Sequence, residues 1–587
     1  MRFSRLADFF LQLEDTSSRN RMVEILAQLF IEADVTEIDK IVYLTQGRVV
    51  PAYERLEFGV GENLTADAIA LATGKERAEV RAQFALKGDF GVVVGDLLPP
   101  EGAGLSVSEV FSELYRIATS SGGGSVQAKV EILAGLLRRM GSLEGRMLMR
   151  IPLDHLRLGI GDPTLMDALS FAKVRDKSLR KYIERAYNIR SDLGQVARLF
   201  WESGAEALTE IEVEVGTPVR PALAERVQSS AAIIDKLGRC AAEPKFDGFR
   251  CQIHKDGDLV KVFSRNLEDF SEMFPELIEG TRRQVALEQA ILEGEALAVD
   301  TATGDFLPFQ VTVQRKRKHG IEAMQHKYPL KLMAFDMLYA DGVDLTHEPY
   351  LVRRKRLVEA IRPDDVFDVA EVLITEDPLK LEAFFADKIQ RGLEGIVCKR
   401  LDSPYQAGAR NFNWIKLKRS MKGKLTDTVD TVVVGYWYGK GGRTRFGIGS
   451  LLTAVYDSAQ DRFVTIARLG TGLTEEEWVA MKVALDAVTS AHQPARLDSV
   501  LVPDVWAEPA HVLEIQADEI TRSPIHTCGL GKLTAGDGHQ DMDNRRLGYA
   551  LRFPRAVNFI RVDKRPEEAT TVEEIIRMFS LQGKRTN

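Results

Sequence analysis

The segment EPKFDGFR sets Lys245 between two carboxylates, Glu243 and Asp247, with Gly248 and Arg250 close behind. A lysine amine attacks phosphorus only when deprotonated, so it needs a lowered pKa, which neighbouring cations or a metal would supply. A KxDG on its own reads as a surface loop with ordinary charges, because short motifs recur by chance. Here it has company. Arg265 follows in FSRNLED, and ILEGEALAV carries Glu293 and Glu295 at i and i+2, on one face of a strand. Phe335 lies in the strand-like LMAFDMLY, Glu394 and Lys399 in LEGIVCKR, and Lys416 and Lys418 on one strand face in NWIKLKR. Each alone has a plain account: a core aromatic, a solvated strand face, a surface row of glutamates. Together and in this order, chance explains them poorly.

The elements that must position these groups change along the chain. Residues 1–215 read as helical, with apolar side chains at helical spacing in Leu6, Phe9, Phe10 and Leu13, and in Val126, Val130, Leu133, Leu136 and Leu137. Glycines mark the breaks at Gly59–Gly61, in SSGGGS (Ser120–Ser125) and at Gly159–Gly161. An acidic stretch, Glu202 to Glu214, runs into TPVRP, whose two prolines bar a continuous helix, and a boundary is placed near 215. Residues 216–424 alternate short apolar runs with helical segments, a mixed α/β pattern with antiparallel sheets. From 425 to 587 come five or so short strands with one helix around Glu475–Val488, as in a small Greek-key barrel of the OB type.

Composition removes other chemistries. No P-loop is present: Gly531-Lys532 is followed by Leu533, and Gly439-Lys440 by Gly441. The glycine-rich Gly439–Gly449 reads as a long hairpin loop. The four cysteines are too scattered for a zinc ribbon, and a chain of 587 residues has no need of a disulfide framework, which fits a reducing compartment. No apolar run reaches membrane-spanning length, and the first residues read as an amphipathic helix rather than a signal peptide, so a cytoplasmic location is expected.

The ordered set of motifs resembles the covalent nucleotidyltransferase superfamily, and within it the ATP-dependent DNA ligases of archaeal and eukaryotic replicative type. LRLGIGD (Leu156–Asp162), PFQVTVQRKRK (Pro308–Lys318), GSLLTAVYD and the closing LRFPRAVNFIRVDKRPEEATT are similar to further segments of that family. The resemblance implies three domains: an all-α DNA-binding domain over 1–215, an α+β adenylation domain over 216–424 and an OB-fold domain over 425–587. It implies ATP as adenylate donor, Mg²⁺ or another divalent cation, and sealing of nicked duplex DNA through lysyl-AMP and DNA-adenylate.

By the same resemblance Lys245 is the nucleophile and Glu243 sits beside the adenine edge. Arg250 and Arg265 contact phosphate and ribose. Glu295 accepts from the ribose hydroxyl and lies near the metal, whose acidic side Glu394 completes. Phe335 stacks on adenine. Arg410, Lys416 and Lys418 neutralise the α-phosphate and help depress the pKa of Lys245. Glu293 either touches ligand or orients a neighbour. In the C-terminal domain Arg552, Arg561 and Lys564 meet the departing pyrophosphate. Asn558 stands where another arginine is expected, so the individual contacts of Arg555 and Arg561 stay open. A monomer is expected, with a sliding clamp as a partner, although the only approach to a clamp peptide begins at Gln195 and has Arg198 at its apolar position.

Three alternatives remain. An RNA-capping or RNA-joining enzyme would share the motifs but not the helical N-terminal part. A non-catalytic nick-binding scaffold would not need the full motif set. NAD as adenylate donor would ordinarily bring cysteine clusters that are missing here. The whole-chain charge of -8 points away from nucleic acid, yet Lys399–Lys424 holds eight basic residues against Asp402, and Arg545–Arg565 seven against Asp563. Local windows of +7 and +6 describe a phosphate-binding partner, and the acidic total describes solubility.

Overall fold

The computed structural model describes the chain except residues 154–155, 157, 228, 302–303, 308, 318, 392, 419–426, 440–446, 532–546 and 583–587. The expected boundary at 424/425, most of the Gly439–Gly449 loop, and Arg157, Pro308 and Lys318 of the resembling segments therefore lie outside the described residues. The chain divides into two compact units, one of Met1–Arg220 with Leu267–Asp269, the other of Pro221–Asn266 with Phe270–Asn587.

The first unit is helical. The apolar spacing near the N-terminus becomes the helix Phe3–Glu14, which buries Phe3, Leu6, Phe9, Phe10 and Leu13 and exposes Asp8. The helix Ser125–Leu137 buries Val130, Leu133, Leu136 and Leu137. Val126, expected on that buried face, lies in the first turn and is 65% exposed. The three glycine breaks fall at helix N-termini: Gly61 caps Glu62–Thr73, Gly124 caps Ser125–Leu137 and Gly161 caps Asp162–Val174, with Pro163 in the first turn. The latter helix buries Asp167, on which Arg19, Lys177 and Arg180 converge. Burial opposes the charge of Asp167, but Lys177 and Arg180 hold its pKa below the ordinary value.

Among the described residues the second unit has four sheets. In a five-stranded sheet the order is Leu223–Arg226, Arg410–Lys418, Gly395–Arg400, Cys240–Lys245, Leu373–Thr375. A six-stranded sheet runs Leu259–Ser264, Phe249–Asp256, Gln289–Ala298, Leu330–Ala340, Val343–Asp344, with Phe367–Val369 also paired to Leu330–Ala340. Most pairs are antiparallel, as the sequence pattern suggested; Leu223–Arg226 and Phe367–Val369 pair in parallel.

The C-terminal region forms a curled seven-stranded sheet and a separate two-stranded one. Bulges at Val433/Gly435, Thr453/Ala454 and Glu514/Ile515 add local twist to the sheet. The expected helix is there, as Glu475–Asp486 with a Thr474/Glu477 capping box. A second helix, Val572–Leu581, was not anticipated. A Thr571/Glu574 capping box starts it, and Val572, Ile575 and Met578 supply its buried stripe. Among the described residues no helix is long and apolar enough to cross a membrane.

Candidate active site

Lys245 ends its strand directly opposite Gly395, and Lys418 sits opposite Gly395 from the other neighbouring strand. Two ammonium groups therefore approach the residue before that glycine. Glu394 ion-pairs with both Lys245 and Lys418. Burial pushes the Glu394 carboxyl up, but the charges of Lys245 and then Lys418 outweigh it and hold the pKa well below the ordinary value. Gly395 has a φ of +151°, and a Cβ there would stand 2.0 Å from the Leu417 carbonyl oxygen. Only glycine lets the two strands close at this point.

The other side of the site comes from the six-stranded sheet. Gly248 packs so closely that a Cβ would lie 2.3 Å from the Ala296 carbonyl oxygen. Its N–H donates to Glu295 at 3.2 Å. Burial raises the Glu295 pKa to about 7, in spite of Lys245 and Arg250, with Asp247 adding to the rise. Asp247 is itself raised, by burial and then by Glu394. Two carboxylates beside the lysine thus carry charge that the surrounding cations leave under-compensated.

Glu293, whose role the sequence left open, turns to Arg250 at 2.8 Å and accepts from the Tyr405 hydroxyl at 2.9 Å. Arg250 also donates to the Ala222 carbonyl at 2.7 Å. Its guanidinium lies 5.5 Å from the ring centroids of both Phe335 and Trp414. Those two rings meet edge to face at 6.2 Å. Glu243, 2% exposed, accepts from Tyr350, Arg354 and Lys399.

Several predicted residues are occupied by the closing segment of the chain. Arg265 donates to Glu568 at 3.3 Å, and Arg410 pairs with Glu574 on the helix Val572–Leu581. Lys416 lies in a strongly positive surround: burial, then Arg226, Lys418 and Arg410, drive its pKa well down. Arg226 in turn reaches Asp427 at 3.3 Å and Asp430 at 3.8 Å.

The three basic residues expected near pyrophosphate are divided. Lys564 and Arg561 converge on Asp430, and Arg561 lies 5.6 Å from the Phe309 ring. Arg552 is exposed on the two-stranded sheet, opposite Glu519. Asn558 donates to Glu514, which Arg561 also reaches, so the asparagine accompanies the arginine on one carboxylate.

Sequence reading missed Tyr350, Tyr405, Trp414, Arg226, Asp430, Glu568 and Glu574. Trp414 was legible, two residues before Lys416 on the same strand face. The acidic partners carried no local signal, because what they pair with is distant in sequence.

Among the described residues no three His, Cys, Asp or Glu side chains form a ready cation cage. The carboxylates present still suit Mg²⁺, which keeps waters and substrate oxygens in its shell and needs only one or two protein ligands.

Three family models match the chain in order: DNA ligase N terminus over residues 2–170, ATP dependent DNA ligase domain over 221–418, and ATP dependent DNA ligase C terminal region over 444–564. A probable DNA ligase of Dictyoglomus turgidum is 53% identical, the match covering 100% of this chain and 98% of that protein. A probable DNA ligase of Persephonella marina is 42% identical over 99% of both chains. DNA ligase 2 of Thermofilum pendens is 41% identical over 99% of this chain and 98% of its own.

Proposed function

The chain belongs to the ATP-dependent DNA ligases, and we propose that it seals nicks in duplex DNA with Lys245 as the nucleophile. Lys245 attacks the α-phosphorus of ATP, the bond to the β-phosphate oxygen breaks, and pyrophosphate leaves. AMP then passes from the lysine to the 5′-phosphate at the nick, and the 3′-hydroxyl displaces it to form the phosphodiester. The observation that carries this reading is the convergence of Lys245, Lys418 and Glu394 on one glycine, with Glu295 and Asp247 nearby.

In-line phosphoryl transfer is mainly positioning and charge stabilisation, and the residues divide accordingly. The approach of ATP phosphates to Lys418 and Lys416 breaks the hold of Glu394 on the lysines. Lys245 must give up its proton to attack, and it does so after the phosphates have drawn Lys418 away from Glu394. Mg²⁺, held at Glu295 and Glu394, would neutralise charge on the phosphates. Arg250, locked by Glu293 and sandwiched near Phe335 and Trp414, contributes a fixed positive charge at the sugar and phosphate. Phe335 offers its ring to adenine and Glu243 its carboxylate to the base edge. Arg265 and Arg410 become available when the closing segment releases them, so Glu568 and Glu574 stand in for substrate oxygens.

The curled C-terminal sheet supports reading that region as an OB-type barrel. Arg561 and Lys564 on it supply charge to the leaving pyrophosphate, and its withdrawal is a gating step. In the helical unit, the N-termini capped by Gly61 and Gly161 offer main-chain N–H groups to DNA phosphates. Such contacts suit a substrate without defined sequence.

Incubation with α-labelled ATP and Mg²⁺ tests the assignment. An acid-labile, alkali-stable AMP adduct should form on the wild-type chain and not on Lys245→Ala. An adduct on Lys245→Ala, or adduct formation from NAD in place of ATP, would overturn it.

A further inference from the structure

Lys399 stood in the sequence beside Glu394 without a role, and the structure gives it an unusual one. Its side chain is 1% exposed. The ammonium donates to Glu243 at 2.8 Å and to the main-chain carbonyl of Phe335 at 2.8 Å. One charge thus ties together two residues that meet the base under the reading above, Glu243 at its edge and Phe335 at its face. Around the ammonium stand three rings, with centroids at 4.3 Å (Trp414), 4.8 Å (Phe335) and 4.9 Å (Tyr350). A cation in such a box is held by the ring faces as well as by its hydrogen bonds.

The count of donors on Glu243 matters. An ionised carboxylate has about four acceptor sites. Tyr350, Arg354 and Lys399 supply three donors, which leaves one site for a ligand N–H. A base bearing an amino group can fill it. A base with an oxo group in the same place would bring lone pair against lone pair. A base bearing only hydrogen there would leave the site empty.

We propose that Lys399, with Tyr350, is a specificity-positioning residue: by holding Glu243 against the Phe335 main chain it makes the enzyme choose a 6-aminopurine nucleotide as donor. The inference rests on the reading of Glu243 and Phe335 as base contacts. It assigns the choice to residues that do not themselves touch the nucleotide.

The experiment measures kcat/KM for lysyl-nucleotide formation by the full chain with ATP, GTP and purine riboside 5′-triphosphate, which lacks the 6-amino group. The wild type should prefer ATP over the purine riboside donor by roughly tenfold or more, the size of one hydrogen bond to a charged group. Lys399→Met should bring that preference close to unity and relax the exclusion of GTP. Tyr350→Phe, which removes only a hydroxyl and keeps the buried ring, should reduce the preference by about threefold, as for one hydrogen bond of modest net strength.

The ratio between donors is the readout, because a general loss of structure lowers all three together. If Tyr350→Phe and Lys399→Met lower every donor by the same factor and leave the preference intact, the inference is wrong and the cage is only structural. Should Lys399→Met fail to fold, Tyr350→Phe alone decides. A wild type that does not distinguish ATP from the purine riboside donor would instead overturn the underlying assignment of Glu243 to the base edge.

Discussion

Two carboxylates near Lys245, Glu394 beside the five-stranded sheet and Glu295 on the six-stranded one, meet opposite surroundings. On the five-stranded side Glu243 and Glu394 are each paired with two cations of the same chain: Lys399 and Arg354 for one, Lys245 and Lys418 for the other. On the six-stranded side Glu293 is paired with Arg250, but Glu295 on the same strand face is desolvated without enough positive charge and its pKa rises to about 7; Asp247 in the connecting loop is raised too. The first arrangement stabilises the fold before substrate arrives. The second leaves one carboxylate whose charge is unfavourable where it stands.

The largest effect tests the lysine itself. Lys245→Arg keeps a positive charge for Glu394 but removes the amine nucleophile. No AMP adduct should be detectable, while the melting temperature stays near that of the wild type. A large drop in melting temperature would mean that Lys245 matters for folding more than for chemistry.

Glu295→Gln breaks the comparison most directly, since the substitution should lower activity and raise stability at once. Nick sealing should fall by about a hundredfold, as for loss of one preorganised charge contact. The stability effect follows from the sign of the shift. A carboxyl whose folded pKa is raised from 4.5 to about 7 costs nothing below pH 4.5, progressively more as pH rises towards 7, and its full amount above. At pH 8 the variant should be more stable than wild type by about 3 kcal/mol at most, and equal to it near pH 4. Denaturant melts at the two pH values check this.

Glu394→Gln should do the reverse. Its folded pKa is depressed, so its contribution is present above the ordinary carboxyl pKa and is lost as pH falls through the folded value. The variant should be less stable than wild type at pH 7, with the gap narrowing on acidification. If both variants shift stability in the same direction at pH 8, the contrast between the two carboxylates fails.

The smallest effect belongs to the closing segment. Glu574, lowered to about 2 chiefly by Arg410 and Arg226 against the cost of burial, is fully charged at neutral pH. Glu574→Gln should leave adenylation intact or modestly faster, by about twofold to threefold, the scale of a partly screened ion pair, because Arg410 is released. A loss of adenylation would show instead that the pair assembles the site.

The fold was legible where one period governs a whole element. Leu6, Phe9, Phe10 and Leu13 announced their helix, and the alternation around Glu293 and Glu295 announced a strand. The helix Val572–Leu581 escaped because its signal, a capping box and three apolar residues, was short and followed a conspicuous basic run. Of the candidate site, the cations and the lysine proposed as nucleophile stand in the motif order. Their partners do not, since Glu574 lies 164 residues beyond Arg410 and no local pattern links them.

The sequence by itself determined which residues could do the chemistry, because type, order and spacing along strands survive without coordinates. It also placed Gly248 close behind Lys245. Only the tertiary structure decided who neutralises whom: that Glu394 bridges two lysines, that Glu293 serves Arg250, and that Lys399 joins Glu243 to Phe335. Charge compensation acts through space over a few ångströms and takes no account of distance along the chain, so strand pairing had to be known before any charge could be assigned its partner.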